Sequence, residues 1–549
     1  MRKTVFSILI LVVLFAGLLS ACASKTTTPA TTTTTQPTTA TTTTTKPTTT
    51  TATSTTTATS TTPTPTQQYG GTLRIITGQP PLANIGDPTV IRTSFGSIMA
   101  VIPCFEALVV FDNGGVPHGV LATSWTVAPD KSSITFSLRQ GVKFQDQTPF
   151  NATAAKWNLD RMLSANVSTT ATWASVDAVD SNTIRINLKS YQNTILNGLE
   201  GTTGMMISPT NFQTNGAAYA GSHPVGTGPY KFLNLVPDTS VDYIRFDDYW
   251  GGKPFLDGVK FIVIADATTA QMAFLAGQAD VLASASDANT ADLASKGYTI
   301  QTRPGAGMLL LPDSVHTTSP VSNVNVRQAI AYAIDNAAIA KAIGYGYWTP
   351  STVLATPQQF GYVAGIGYQP QNVDKAKQLL AAGGFPNGFS CTLYTASTLA
   401  NDPLQSIQTY LKAIGITATI ETDSYAAWTD LANKGWNNGM MWMTFGATDT
   451  NYASYLDRYF GKNTVAYPSV AKPAGLQDLI VQALATPDFA TEKTLCQQCV
   501  TILTNDCTGI PIYIGDASYA LQKNVHDTGF DQLGGSGFRW TAQKAWMSK

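Results

Sequence analysis

Between residues 71 and 190 the chain alternates apolar and polar positions. In TIRINLKS (183–190), Ile184, Ile186 and Leu188 fall on one face and Arg185, Asn187 and Lys189 on the other. That spacing predicts a half-buried antiparallel strand. SITFSLRQG (133–141) reads the same way and ends at a glycine turn. GVKFIVIAD (258–266) is more densely apolar, and ATTAQMAFLAGQAD after it predicts a helix that stops at Gly277.

After about Arg303 the rhythm becomes strand–helix. NVRQAIAYAIDNAAIAKAIG (325–344) predicts one helix with Ile330, Ile334 and Ala337 on a stripe and Gly344 past its end. NVDKAKQLLAAGG predicts a helix closed by Gly383. SCTLYT (strand), PLQSIQTYLKAIG (helix), ITATIET (strand), YAAWTDLANKG (helix) and GMMWMTF (strand) follow. Proline in a first turn and glycine beyond a last one punctuate them. Strands alternating with helices of this length imply crossover units and a parallel sheet, hence an α/β fold. In such a sheet ligands lie outside the carboxyl ends of the strands. GMMWMTF runs directly into GATDTNY, and Trp428, Trp436, Trp442, Phe445, Tyr452 and Tyr455 crowd around Asp449. Aromatic walls with a polar anchor suit a small-molecule pocket, so Trp436, Trp442, Phe445, Gly446, Asp449 and Tyr452 are the candidate ligand contacts. Trp428 and Tyr455 read as core.

The N-terminus changes the picture of where this domain works. Arg2 and Lys3 precede an apolar run, Val5 to Leu19, that is short for a membrane span, and LSAC (19–22) places small residues before a cysteine. This is similar to a bacterial lipobox and implies a lipid-modified Cys22. Residues 23–66 are almost entirely Thr with Pro, Ala and Ser, too poor in apolar groups to fold. Extended, they reach on the order of 140 Å. They read as a disordered tether.

Net charge is −1 and only 12% of residues are charged. No basic block is present, which argues against nucleic acid as a partner. Beyond Cys22 stand Cys104, Cys391, Cys496, Cys499 and Cys507. On a helix, Cys496, Cys499 and Leu503 share a face, so CQQC reads as buried thiols, with a Cys499–Cys507 disulfide open as an alternative. The histidines, His118, His223, His316 and His526, are scattered without HExxH spacing, so no metal centre and no cofactor is expected. Neither GxSxG nor a triad-like grouping occurs, and no catalytic residues are assigned.

LATSWTVAPDKSSITFSLRQGVKFQDQTPFNA (121–152), VGTGPYKF (225–232), YWGGKPFLDGVKF (249–261), VRQAIAYAID (326–335), VDKAKQLLAAGGFPNGF (373–389) and GIPIYI (509–514) together resemble the family 5 solute-binding proteins, the peptide/nickel type that serves ABC importers. The resemblance implies a two-lobed, type II-like (cluster C) periplasmic-binding-protein fold. The expected division is 1–22 signal and lipobox, 23–68 tether, 69–305 first lobe with a subdomain near 106–224, 306–515 second lobe, and 516–549 returning to the first. The implied partners are one solute, peptide or other small molecule, and the permease subunits, with a monomer anchored by lipid on the outer face of the cytoplasmic membrane. Against the family's WxxDxxxDP-like loop, FGATDTNY puts Gly446 where peptide binders carry the ammonium-binding aspartate and aligns Asp449 with the later one. No arginine occurs between Arg327 and Arg458 to clamp a peptide carboxylate, which favours an oligosaccharide as the alternative solute. An anchored hydrolase, and a sensor or adhesin without transport, are the readings from other classes. VGTGPYKF lacks the phosphate-loop frame, and Gly226 and Gly228 read as a tight turn.

Overall fold

The alternating stretches form a four-stranded antiparallel sheet in the order Ala122–Val127, Ser133–Leu138, Thr183–Leu188, Trp173–Asp180. Ile134 lies opposite Ile186 and Phe136 opposite Ile184, so the inward faces of neighbouring strands bury each other. The helices Ala152–Ser164 and Thr194–Glu200 close the core over Leu159, Ile195, Leu196 and Leu199. The Asn151 side chain accepts from the Ala154 N–H at 3.0 Å and caps the first of them. Asn151→Ala is expected to lower stability by about 1 kcal/mol in urea unfolding.

The computed structural model describes residues 66–549 apart from 79–83, 92–98, 284, 369, 447–450, 463–465, 533–539 and 541. Among them no helix is long and apolar enough to cross a membrane. A second, larger sheet runs Thr417–Asp423, Ser390–Ala396, Gly439–Phe445, Thr299–Pro312, Ile510–Leu521, Val281–Ala283, Thr72–Thr77, Gly258–Val263, Ser240–Arg245, Tyr230–Val236, with Trp348–Pro350 also paired to Ile510–Leu521. The strands 390–396, 417–423 and 439–445 are mutually parallel, and so are 72–77, 258–263 and 281–283. The two long strands between these groups pair antiparallel with their neighbours, so the sheet is mixed.

Each parallel group has its own core. Leu73, Ile75, Val259, Phe261 and Val281 bury one face of the first group together with Phe530, Trp540 and Ala545 from the C-terminal segment. In the second group the strand Gly439–Phe445 is buried on both sides. Met440 and Trp442 pack with Ile330, Leu393 and Ile407, while Met441, Met443 and Phe445 pack with Trp428, Tyr455 and Leu503. A strand covered by helices on both faces is apolar at every position, which explains its unbroken run.

Two local expectations need correction, the single helix over 325–344 and the disulfide. The expected single helix over 325–344 is two, Val324–Ala333 and Asn336–Ile343. Ile334 is extended, and the Asp335 side chain accepts from the Ala338 N–H at 2.8 Å, starting the second helix with its own cap. Gly226 and Gly228 are small because the backbone of Pro103 and Cys104 passes against them: a Cβ on Gly226 would overlap the Cys104 carbonyl oxygen. The disulfide alternative does not hold, since Cys499 and Cys507 are free, as are Cys104, Cys391 and Cys496. All five are buried, and Cys496, Cys499 and Leu503 share one core as their spacing predicts. Burial pushes the Cys499 and Cys507 thiols up to about 12, leaving them as apolar core groups.

Candidate functional site

Both parallel groups aim their carboxyl ends at one line. The strand Ile510–Leu521 runs from the second group, where Ile510 pairs with Leu310, to the first, where Leu521 pairs with Val281. Val281–Ala283 runs antiparallel to it and Thr72–Thr77 runs with Val281–Ala283, so both end toward residue 516. From the other side Phe445, the last residue of Gly439–Phe445, pairs with Gly307, and Gly307 pairs with Ile514. The pairing of the two long strands shifts register between Pro304 and Gly307 on this line. The expected lobe boundaries, 305/306 and 515/516, thus fall inside two strands that cross it.

The crossing is built from small residues. A Cβ on Gly305 would stand 2.6 Å from the Gly515 carbonyl oxygen, and one on Gly307 would overlap Cε1 of Phe445. Phe445 therefore packs directly against the crossing, and Gly446 follows with φ 77°, a conformation open to glycine at little cost. The Gly446 carbonyl accepts from the Gln359 side chain, whose Oε1 accepts from the Thr356 N–H at 2.9 Å. Beyond the loop, Tyr452 is buried and its hydroxyl donates to the Leu354 carbonyl at 2.7 Å. The segment 354–361 thus holds both ends of this loop. Asp449 lies outside the described residues, and so does Cys22.

Trp442 and Trp436 stand farther back. Trp442 is fully buried on the face of Ile330 and Ile407, and its Nε1 donates to the Ala400 carbonyl at 2.9 Å. Trp436 is buried on the opposite face with Trp428 and Tyr455. Of the six candidates, Phe445, Gly446 and Tyr452 therefore gather along one loop, while the two indoles belong to separate cores.

Polar groups near the line come from segments that no local pattern links. Trp348 stacks on Tyr513 at 3.7 Å and 4°, and its Nε1 donates to Asp287 Oδ2 at 2.6 Å. The Asp516 N–H donates to the Tyr347 carbonyl at 2.9 Å. Burial, then the charge of Asp287, pushes the Asp516 carboxyl up to about 6, and burial also raises that of Asp287. Arg327 offers nothing to a solute: it donates to Asp506 Oδ2 at 2.8 Å, to the Asp506 carbonyl at 2.9 Å and to the Ser322 carbonyl at 2.7 Å. Beside Gln359 opens a concavity of about 790 Å³, edged by Gln358, Tyr362, Lys493, Gln497 and Gln498, within the range of small-molecule sites.

Comparison with known proteins places this geometry. Residues 116–467 match the family model described as bacterial extracellular solute-binding proteins, family 5 Middle. The glutathione-binding protein GsiB of Shigella flexneri is 32% identical over 461 residues, covering 79% of this chain and 87% of that protein. GsiB of Escherichia coli K12 is 31% identical over the same shares. Among solved structures, HbpA2 from Haemophilus parasuis superposes with TM-score 0.76 at 23% identity, covering 87% of this chain and all of that one. DppA from Helicobacter pylori, in complex with the peptide STSA, gives 0.69 at 24%, covering 88% and 99%. These neighbours share the two-lobed periplasmic-binding-protein fold. The chain therefore belongs to the bacterial extracellular solute-binding proteins of family 5, binding a solute for an ABC importer and catalysing no reaction.

Proposed function

We propose that the chain captures a short peptide of the glutathione kind along the glycine-lined crossing and passes it to its permease unchanged. The carrying observation is that both parallel groups point their carboxyl ends at this line, the place where open α/β sheets bind ligands. The 32% identity to a glutathione-binding protein supports the peptide class. The halves 69–305 with 516–549, and 306–515, act as the two jaws, and the strands through 304–307 and 514–516 are the hinge between them. Gly446 and Asp449 contact the solute, Phe445 and Tyr452 hold the loop, and Trp436 and Trp442 pack behind it. A lipid on Cys22 holds the monomer at the outer face of the cytoplasmic membrane, with residues 23–68 as its leash.

An oligosaccharide is the second reading, favoured by the commitment of Arg327 to Asp506 and by the amide-rich concavity beside Gln359. Thermal shift with glutathione, a tripeptide and maltotriose tests both. A bound solute at 100 times its Kd adds about 2.7 kcal/mol of stability. Glutathione or the tripeptide is expected to raise Tm and maltotriose to leave it unchanged. A shift with maltotriose alone would overturn the peptide reading.

A further inference from the structure

Two carboxylates meet at the crossing, brought there by adjoining residues. The Tyr347 carbonyl accepts from the Asp516 N–H at 2.9 Å, and Trp348 Nε1 donates to Asp287 Oδ2 at 2.6 Å. Trp348 also pairs with Gly515, where a Cβ would stand 3.5 Å from that same Nε1. Asp287, the first residue of the helix Asp287–Ser295, is thereby held beside the backbone of 515 and 516. The Tyr347 hydroxyl feels both acids: burial first, then the charges of Asp287 and Asp516, raise it. Both carboxylates are half-buried.

Neither has a cation. Among the described residues no lysine or arginine forms an ion pair with Asp287 or Asp516. Lys296, at the far end of the same helix, is spent on Asp292. Arg303 pairs opposite Ala517, so it leaves the strands on the other face, where it donates to the Tyr519 hydroxyl at 3.4 Å. The face of Asp516 carries oxygens instead. Thr302 turns its hydroxyl to Asp516, and Ser518, directly opposite Thr302, is 1% exposed with no hydrogen-bond partner for its Oγ. A buried hydroxyl left unpaired is costly. Two carboxylates that feel each other's charge also repel unless a proton or a cation stands with them. Three oxygen-bearing groups on the ligand line therefore wait for donors that the chain does not bring.

We propose that Asp287 and Asp516 hold the free ammonium group of the peptide, with Ser518 Oγ as the third acceptor. The inference rests on the peptide reading and deepens it, by naming the end of the solute that meets the hinge. An ammonium group has three donors and no acceptor, which matches this set. A neutral oligosaccharide offers no such charge, so the pair selects peptides with an unblocked amino group.

Calorimetric titration of the full chain with glutathione and trialanine, each beside its N-acetylated form, tests this, because acetylation removes the charge. Wild type is expected to bind the free peptide about ten- to a hundredfold more tightly. Asp516→Asn and Asp287→Asn are each expected to lose most of that preference by weakening the free peptide alone. In Asp287→Asn the amide oxygen still accepts from Trp348 Nε1, so the fold keeps that bond. A purely structural role would weaken free and acetylated peptides alike. Equal wild-type affinities for the two forms, or a loss shared equally between them in the variants, would overturn the inference and leave the peptide reading standing. Heat from none of the four would end that reading and this inference with it.

Discussion

Trp442→Ala is expected to cost about 3–5 kcal/mol of unfolding free energy, among the largest losses available to a single truncation. The indole is fully buried between Ile330, Leu393 and Ile407, and its ring stands 6.3 Å from that of Tyr513. Neighbours on rigid strands and helices cannot collapse into the space, so the cavity persists. The truncation also strands the Ala400 carbonyl, which loses its 2.9 Å donor. Urea unfolding reads the effect as a lower midpoint with an unchanged slope. A loss below about 1 kcal/mol, in the range of surface substitutions, would mean that the ring stands in open space and not in a core.

Gly307→Ala is expected to strike binding harder than stability. The added methyl group would overlap Phe445 Cε1, so the ring must move, and Gly446 moves with it. Overpacking of this kind costs about 1–3 kcal/mol in stability. Affinity for the solute is expected to fall about tenfold or more, since about 1.4 kcal/mol of misplacement already accounts for a factor of ten. Calorimetric titration of wild type and variant with the solute found by thermal shift provides the check. Equal affinities would detach the Gly446 loop from the site.

Elements with a clear period are legible in the amino-acid sequence itself. The strands around Ile134 and Ile184, the helix ending at Gly277 and the buried stripe of Cys496, Cys499 and Leu503 follow directly from spacing. The helix break at Ile334 is not legible there, because Asp335 and Asn336 fit a helix surface as well as a cap, and only the observed bond to Ala338 decides. The aromatic crowd around Asp449 marks a strand end without sorting its members. An apolar strand has two buried faces, and sequence proximity cannot say that Trp442 and Phe445 leave it on opposite sides. Gln359, Asp287 and Trp348 escape a sequence reading for a simpler reason: each comes from a distant segment and meets the line only through sheet topology.

A ribbon of two hydrogen-bonded strands flexes readily out of its own plane and resists bending within it, since in-plane bending must stretch one strand while compressing the other. In the proposed two-jaw arrangement the halves are joined by such a ribbon, the paired strands Thr299–Pro312 and Ile510–Leu521. The proposed swing would thereby be confined to one direction, like a page on its spine.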